Sequence, residues 1–250
     1  MKNLLLALTT MLTIPLYAGE YTEIRDLKLD TSGLGGFYAD TGSGYLKVTG
    51  NDEISHIIVK ATIQIDTKIT FDDDDAQKYV SENLILQLTA SGNKAKLNVN
   101  FKKGSWSLFK VNGRVDLDIQ VPSSLYLEVD DGSGLITVTQ MKNGVFVDDG
   151  SGSIELTDSM GKITIKDGSG ALMVKNIQGD IFIDDGSGAI DVSQISGDIS
   201  IDDGSGSIAI TNITGSVKVD DGSGSVYLSG IDGNVRGYDE HKKRRSRDLK

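Results

Sequence analysis

Residues 185–206 read DGSGAIDVSQISGDISIDDGSG, and this stretch decides the fold. It contains the tetrapeptide Asp-Gly-Ser-Gly twice, at a spacing of 18 residues. The same tetrapeptide occurs six times at that unbroken spacing, beginning at Asp131, Asp149, Asp167, Asp185, Asp203 and Asp221. A fixed period without insertions is typical of repeat architectures, in which one supersecondary unit stacks on the next.

The apolar residues between the tetrapeptides predict strands. After Gly186, Ile190 and Val192 form one pair at a spacing of two, and Ile199 and Ile201 form another. A spacing of two is the period of a β-strand, and β-branched residues favour that conformation. Each repeat is therefore predicted to contain two short strands and two turns, with apolar side chains on one side of each strand.

Two closures of such a chain are possible. The units are either hairpins in a barrel or sandwich, or coils of a β-solenoid in which each strand pairs with its equivalent in the next unit. Identical residues every 18 positions favour parallel, in-register stacking, whereas a hairpin array tolerates loops of variable length. We therefore predict an all-β protein, a β-solenoid with 18-residue coils.

The rest of the chain divides around this repeat. Residues 1–18 are predicted to be a signal peptide because a positive residue precedes an apolar run and a small residue at the expected cleavage site. Residues 19–124 are predicted to be irregular β-structure that continues into the solenoid of residues 125–240. Residues 241–250 form a basic tail, which we expect to be disordered and solvated.

The irregular part contains three local signals. Residues 40–48, DTGSGYLKV, look like a degenerate copy of the repeat's turn and strand. Residues 74–77 resemble a capping box and predict a short helix that ends near Asn83. Asn112 and Gly113 are a hairpin-turn signal.

The chain resembles a known family in three segments: YLKVTG at 45–50, VDLDIQVP at 115–122 and GDISIDDGSG at 197–206. These look like the DUF4097 family of exported bacterial β-solenoid proteins, also called toast-rack proteins, which carry the label adhesin. The resemblance covers most of the mature chain and implies the fold and a role in adhesion. It brings no catalytic residue with it.

Acidic residues in the repeated turn are the strongest candidate for chemistry. Stacking would place them in two files, with neighbouring carboxylates about 4.8 Å apart and with Lys166 in place of one member. Two charges at that distance repel by roughly 0.9 kcal/mol in water and about 3.5 kcal/mol at an effective dielectric near 20. Bound Ca²⁺, raised pKa values or hydrogen bonds from the turn's own N–H groups would relieve the repulsion. The candidate metal ligands are Asp130, Asp131, Asp148, Asp149, Asp167, Asp184, Asp185, Asp202, Asp203, Asp220 and Asp221.

Paired carboxylates also occur in polysaccharide-cleaving enzymes, where they act as acid and base. An active site needs one distinctive place, however, and here the same pair recurs on nearly every coil. We therefore predict that the protein is not an enzyme. The absence of cysteine excludes disulfides and thiolate metal sites.

Other groups of residues have structural and functional interpretations. Asp72–Asp75 would either ligate a cation or form a solvated loop that caps the short helix. An aromatic and basic cluster would either bind sugar or lipid or cover the end of the solenoid core: Phe101, Trp106, Phe109 and Tyr126 with Lys102, Lys103 and Lys110. The basic tail would either bind an anionic partner or remain solvated.

These observations predict an exported, non-enzymatic protein of the cell envelope, in the periplasm or at the cell surface, that acts in binding or adhesion. A Ca²⁺-stabilised structural module with an acidic surface is the alternative, and a polysaccharide-active enzyme comes third. No cofactor is required, and Ca²⁺ is the one candidate. With a net charge of −11, the protein is expected to repel nucleic acid, and we expect a monomer with an envelope or surface ligand and no membrane span.

Overall fold

The computed structural model of the protein describes residues 11–13, 20–66, 73–102 and 112–237. Over these ranges the chain is mostly strand, with a parallel β-solenoid of about 6 turns, 18-residue coils and almost no helix. The predicted all-β solenoid is therefore confirmed. The basic tail and all but residues 11–13 of the predicted signal peptide lie outside the described residues.

The N-terminal part contains strands of both orientations and one helix. Its elements are β1 (Met11–Thr13), β2 (Glu20–Asp30), β3 (Gly36–Asn51), β4 (His56–Asp66), α1 (Asp73–Asn83), β5 (Leu84–Ser91), β6 (Lys94–Phe101) and β7 (Asn112–Pro122). Strands β6 and β7 run parallel to β3, whereas β5 is antiparallel to β6, β4 to β7, and β2 to β4. Strand β1 is antiparallel to β2.

The regular part begins at β8 (Tyr126–Thr139) and alternates between longer and shorter strands. The elements are β9 (Val145–Asp149), β10 (Gly152–Met160), β11 (Ile163–Asp167), β12 (Gly170–Gln178), β13 (Ile181–Asp185), β14 (Gly188–Ser196), β15 (Ile199–Asp203), β16 (Gly206–Ile213), β17 (Val217–Asp221), β18 (Gly224–Ile231) and β19 (Val235–Arg236). We call the even-numbered strands β8 to β18 the first ladder and the odd-numbered strands β9 to β19 the second ladder. Strand β8 joins the two ladders, because its first half pairs with β9 and its second half with β10.

Every coil stacks on its neighbour in register. Ile181 pairs with Ile163 on one side and with Ile199 on the other, and Ile199 pairs with Val217. The inward side chains form the core. In one coil Ile190, Val192, Ile195, Ile199 and Ile201 are each at most 2% exposed. Burying a side chain of this size stabilises a fold by about 1.5–3 kcal/mol, so the repeated apolar positions account for the solenoid.

The last glycine of each tetrapeptide is required by the stacking. In the six copies its φ lies between +139° and +158°, a region that L side chains seldom adopt. A Cβ atom there would lie 1.4 to 1.9 Å from the carbonyl oxygen of the equivalent glycine one coil earlier. The constancy of the tetrapeptide therefore has a structural cause.

Strand β3 is an additional copy of the repeat, as the sequence predicts. It stacks on β8 along its length, so that Asp40 pairs with Asp130 and Ser43 with Ser133. The irregular part is thus continuous with the solenoid. The hairpin prediction at Asn112 and Gly113 is wrong, because both residues lie in β7 and pair with the antiparallel strand β4.

The short helix is confirmed as α1, which begins at Asp73 and has three aspartates in its first turn. Negative charges near a helix N-terminus stabilise the helix, because they interact favourably with its unpaired N–H groups. Its residues Ala76 and Val80 pack into the core of the N-terminal part. In the described part of the chain no helix is long and apolar enough to cross a membrane.

Candidate functional site

The predicted files of aspartates exist as the repeat places them. Asp131, Asp149, Asp167, Asp185, Asp203 and Asp221 pair in series, and we call them the inner file. Asp130, Asp148, Lys166, Asp184, Asp202 and Asp220 pair in series in the same strands, and we call them the outer file.

The two files do not form one acidic site. Successive residues of a strand point to opposite sides, so a step of one residue separates the inner from the outer carboxylates. Every member of the outer file is exposed, whereas Asp131, Asp149, Asp167, Asp185 and Asp203 are only 1–6% exposed. Asp221, on the last coil, is half-buried.

Four inner aspartates, Asp149, Asp167, Asp185 and Asp203, close their own turns with one oxygen. Asp149 Oδ1 accepts a hydrogen bond from the Ser151 backbone N–H at 3.3 Å, and Asp185 Oδ1 accepts one from Ser187 at 3.2 Å. The same bond forms in the Asp167 and Asp203 turns at 3.1 Å. The predicted hydrogen bonding from within the turn is therefore confirmed for Oδ1.

The other oxygen of these carboxylates is buried without a partner. This holds for Oδ2 of Asp131, Asp149, Asp167, Asp185 and Asp203. The file begins at β3 with Thr41, whose hydroxyl donates to Asp131 Oδ1 at 2.5 Å. A neutral donor thus stands at the first position, where the repeat would place another carboxylate.

Burial raises the pKa values of the five inner aspartates Asp131, Asp149, Asp167, Asp185 and Asp203. Desolvation is the largest cause in each of the five, and it raises the pKa of Asp149 and of Asp185 to about 6. Charges on neighbouring inner aspartates add to the effect in both residues. The pKa values of Asp131, Asp167 and Asp203 are raised for the same first reason. From the sequence, repulsion between stacked carboxylates is the expected cause of raised pKa values. In the structure, removal of the carboxylates from water is the larger cause.

Calcium binding by the two files stays a prediction. Among the described residues, no three Asp, Glu, His or Cys side chains come together in a group that could hold a metal ion. The separation of the files explains why, since Ca²⁺ takes six to eight oxygen ligands around one point.

A groove lies on the outward side of the second ladder. The outward residues of this ladder form two columns, the outer file and, two residues earlier in each strand, a column that we call the front column: Phe146, Thr164, Phe182, Ser200, Lys218 and Arg236 in successive coils. The groove encloses about 390 Å³ and runs from Phe182 past Ser200 to Lys218 and Arg236. Its lining also includes Asp180, Asp198, Ser216 and Asn234, which precede the short strands and which we call the wall of the groove. The small side chain of Ser200 leaves space between Phe182 and Lys218.

The acidic wall of the groove is held by the backbone of the next coil. Asp180 Oδ1 accepts a hydrogen bond from the Asp198 backbone N–H at 2.9 Å, and Asp198 Oδ1 accepts one from Ser216 at 2.7 Å. Phe182 is 46% exposed, and the Lys162 ammonium lies 4.7 Å from the centre of its ring. Lys162 is outside the groove lining, so it fixes the ring from the other side.

The remaining predicted residues are dispersed. Phe101 packs against the core and stacks on Tyr79 with ring centres 5.9 Å apart. Tyr126 is half-buried in β8. Asp73–Asp75 belong to α1. The other members of the acidic run and of the aromatic and basic cluster, Asp72, Lys103, Trp106, Phe109 and Lys110, lie outside the described residues.

Comparison with known proteins gives a family. The sequence profile of the Toastrack DUF4097 family matches residues 54–239, well over half of the chain. The chain belongs to this family. The predicted DUF4097 resemblance is thereby confirmed. No curated protein matches this Toastrack chain.

Three solved structures are similar to this Toastrack protein. A putative cell adhesion protein from Clostridium sporogenes is 12% identical with a TM-score of 0.40, over 83% of this chain and 99% of that chain. A putative adhesin from Bacteroides fragilis is 17% identical with a TM-score of 0.34, over 86% and 94%. A putative lipid binding protein from Parabacteroides distasonis is 13% identical with a TM-score of 0.32, over 86% and 96%.

The front column was missed by the sequence analysis. Its members share neither charge nor size, so they form no motif, unlike the aspartates beside them. Aligning the outward position of each short strand would have shown the series Phe, Thr, Phe, Ser, Lys, Arg. The groove itself depends on the small side chain of Ser200, and the repeat pattern does not predict it.

Proposed function

We propose that the protein is an exported, non-enzymatic β-solenoid of the cell envelope that acts in binding or adhesion, as a monomer. The observation that carries the proposal is the exposure of large apolar side chains on both outward faces. Tyr45, Leu135, Met173 and Phe182 are each 39–46% exposed. Tyr45 and Leu135 are paired neighbours, so together they form a continuous apolar surface. Exposed apolar patches mark interaction sites.

The rigidity of the solenoid supports a binding role. Every outward side chain stands on a strand that is paired on both sides, except at the last coil. Sites on strands are held more precisely than sites on loops. A partner therefore meets a surface that is already ordered, which lowers the entropy cost of binding.

The pattern of pKa values supports a non-enzymatic role. Acid–base catalysis by two carboxylates needs environments that drive their pKa values apart. In the inner file five aspartates shift in one direction for the same first cause. A repeated environment of this kind provides no distinctive pair.

Export is tested by isolating the protein from cells that produce the full chain. We expect a mature polypeptide that begins at Gly19, found in the periplasm or at the surface, because residues 1–18 have the pattern of a cleaved signal peptide. Mass spectrometry of fractionated cells measures both properties. An unprocessed protein that stays in the cytoplasm would contradict the proposal.

Binding is tested with washed envelope fragments of the producing cell. We expect the mature protein to sediment with the fragments and the double variant Tyr45→Ser/Leu135→Ser or the variant Phe182→Ala to sediment less. Thr139→Ser on the first ladder is the matched control. A protein that stays in the supernatant at all concentrations would overturn the proposed binding role.

A further inference from the structure

The groove of the second ladder combines three kinds of side chain. An exposed aromatic ring stands at one end, two cations stand at the other, and two carboxylates belong to the wall. We propose that this groove is a binding site for an acidic glycan, a sugar chain whose units bear carboxylates. The inference rests on the proposed binding function and names the ligand class of one site.

The ring of Phe182 suits the face of a sugar. A pyranose ring has an apolar face of C–H groups, which packs on an aromatic ring whose face is partly negative. Lys162 lies 4.7 Å from the ring centre and holds the ring in place, so little side-chain entropy is lost when a ligand packs against it. At 46% exposure the ring presents a large apolar area to solvent.

The carboxylates of Asp180 and Asp198 suit the hydroxyl groups of a sugar. Each is oriented by one hydrogen bond from the backbone of the next coil, at 2.9 and 2.7 Å. An ionised carboxylate has about four lone-pair sites, so each retains the capacity to accept from a ligand O–H group. Hydrogen bonds to a charged acceptor are stronger than those between neutral groups, which gives this wall specificity for hydroxylated ligands.

Lys218 and Arg236 suit the acidic group of such a sugar. They occupy adjacent coils of the front column, about 4.8 Å apart along the solenoid axis. Within the described residues, neither takes part in an ion pair. In a protein with a net charge of −11, two adjacent unpaired cations form a local site for a carboxylate.

The mixed charge of the walls decides between ligand classes. A nucleic acid duplex offers few free hydroxyl groups to the acceptors of Asp180 and Asp198, and its phosphates along both strands would be repelled by these carboxylates. A neutral glycan would leave Lys218 and Arg236 unpaired. A sugar with hydroxyl groups on one edge and a carboxylate on the other satisfies both walls. The volume of about 390 Å³ lies at the lower end of the range for small-molecule sites, enough for a short segment of a chain.

The test is calorimetric titration of the mature protein with trigalacturonate, the trimer of galacturonic acid, and with its methyl ester. We expect trigalacturonate to bind and the ester to bind about tenfold more weakly, because esterification removes the charge that Lys218 and Arg236 attract. Lys218→Gln should weaken trigalacturonate binding and reduce the difference between the acid and the ester, because only Arg236 then attracts the carboxylate.

Phe182→Ala tests the aromatic platform, with Tyr227→Ala as its matched control. Both side chains are about half exposed, but Tyr227 lies on the first ladder, outside the groove. We expect Phe182→Ala to lower the affinity for both sugars by about tenfold and Tyr227→Ala to leave it unchanged. Melting temperatures check that both variants fold. If Phe182→Ala does not fold, Lys218→Gln reports on the same groove.

The outcomes separate this inference from the proposed function. If the protein sediments with envelope fragments but does not bind trigalacturonate, the inference is wrong and the binding role stands. If it binds neither, both are wrong. Equal affinities for the acid and the ester, or equal effects of Phe182→Ala and Tyr227→Ala, would also overturn the inference. Stronger binding of a DNA oligonucleotide than of trigalacturonate would assign the cations to a different class of ligand.

Discussion

Asp184 and Asp185 are adjacent in the chain, yet their carboxylates lie in different surroundings. Asp184 belongs to the outer file and is exposed, whereas Asp185 belongs to the inner file and is 2% exposed. Burial raises the pKa of Asp185 to about 6. One residue step along a strand therefore moves the same functional group from water into the protein.

The comparison shows that stacking in register repeats the surroundings of one carboxylate, and their energetic cost, in every coil. In a single buried carboxylate that closes a turn, the backbone N–H that Oδ1 accepts offsets part of the cost of desolvation. Repeated in register, the same residue places partly unpaired Oδ2 atoms in a row, and the costs of desolvation and repulsion recur at each coil. In the outer file the carboxylates have the same spacing, but solvent and salt screen the repulsion between them.

The largest expected effect comes from moving a carboxylate to an inward position that has no turn. Ile199 is 2% exposed, and Ser200 is the next residue on the outward side. Ile199→Asp should lower the free energy of unfolding by about 3–5 kcal/mol, because no N–H group stands ready there as it does for Asp185. Ser200→Asp should change it by less than about 0.5 kcal/mol. Denaturant unfolding measures both, and equal losses would refute the assignment of inward and outward sides.

The next effect is the dependence of stability on pH. The pKa of Asp185 is raised in the folded protein, so the folded state binds more protons than the unfolded state. Its contribution to stability is fully present below the unfolded pKa near 4 and is lost as the pH rises through about 6. The loss for Asp185 is on the order of 3 kcal/mol, and the protein without added metal should be most stable in mild acid.

Asp185→Asn and Asp184→Asn form the matched pair for this dependence. Asparagine keeps the acceptor for the turn and adds N–H donors that can reach the neighbouring Oδ2 atoms, so Asp185→Asn should flatten the pH profile and stabilise the protein above pH 7. Asp184→Asn removes an exposed charge that makes only the smallest contribution to the raised pKa of Asp185, so it should change the slope much less than Asp185→Asn does. Melting curves between pH 4 and pH 8 compare the variants. A wild-type protein whose stability rises with pH over this range would show that the inner pKa values are lowered instead.

Much of this arrangement was predictable from sequence, and the reason is the period. Because equivalent residues recur every 18 positions, the pairing of Asp167 with Asp185 follows from arithmetic once parallel stacking is chosen. The inward assignment of Ile199 and Ile201 follows from strand alternation. The sequence analysis placed the eleven aspartates in two files, but it did not assign the files to opposite sides of the strands, although this follows from the same alternation.

The parts that resisted prediction have no repeated residue type. One corner of each coil has a left-handed backbone, at Gln140, Asp158, Asn176, Gln194 and Asn212, with φ between 53° and 62°. Because Gln, Asp and Asn alternate at this position, no single residue type marks the left-handed corner in the sequence, although Asn and Asp tolerate this conformation. The antiparallel strands of the N-terminal part join segments far apart in the chain, as β4 joins β7, and no local pattern records such pairings.

The start of the inner file allows a smaller test. Thr41 is 8% exposed and donates to Asp131 Oδ1 at 2.5 Å, the side-chain bond that opens the file. Thr41→Val keeps the shape and removes the donor, so it should cost about 1–2 kcal/mol at pH 7 and raise the pKa of Asp131 further. The loss should shrink as the pH falls, because protonation of Asp131 removes the charge that the Thr41 hydroxyl stabilises. Thr49→Val, on the outward side of the same strand, is the control. Equal losses of stability in both variants would show that the Thr41 hydroxyl does not stabilise the Asp131 carboxylate.

The smallest expected effect concerns the outer file and Ca²⁺. Lys166 pairs with Asp148 and Asp184 and is exposed, so Lys166→Asp replaces attraction by repulsion under solvent screening. We expect it to lower the free energy of unfolding without metal by about 0.2–1 kcal/mol.

Millimolar Ca²⁺ should raise the melting temperature of the wild type slightly and that of the Lys166→Asp variant more, because a ligand of the folded state stabilises by mass action. Lys175→Asp makes the same change of charge beside Thr157 and Ser193 on the first ladder and should show no greater response than the wild type. If Ca²⁺ moves all three melting temperatures equally, or moves none of them, the outer file is a solvated row of turn residues, and the difference between the files is one of burial alone.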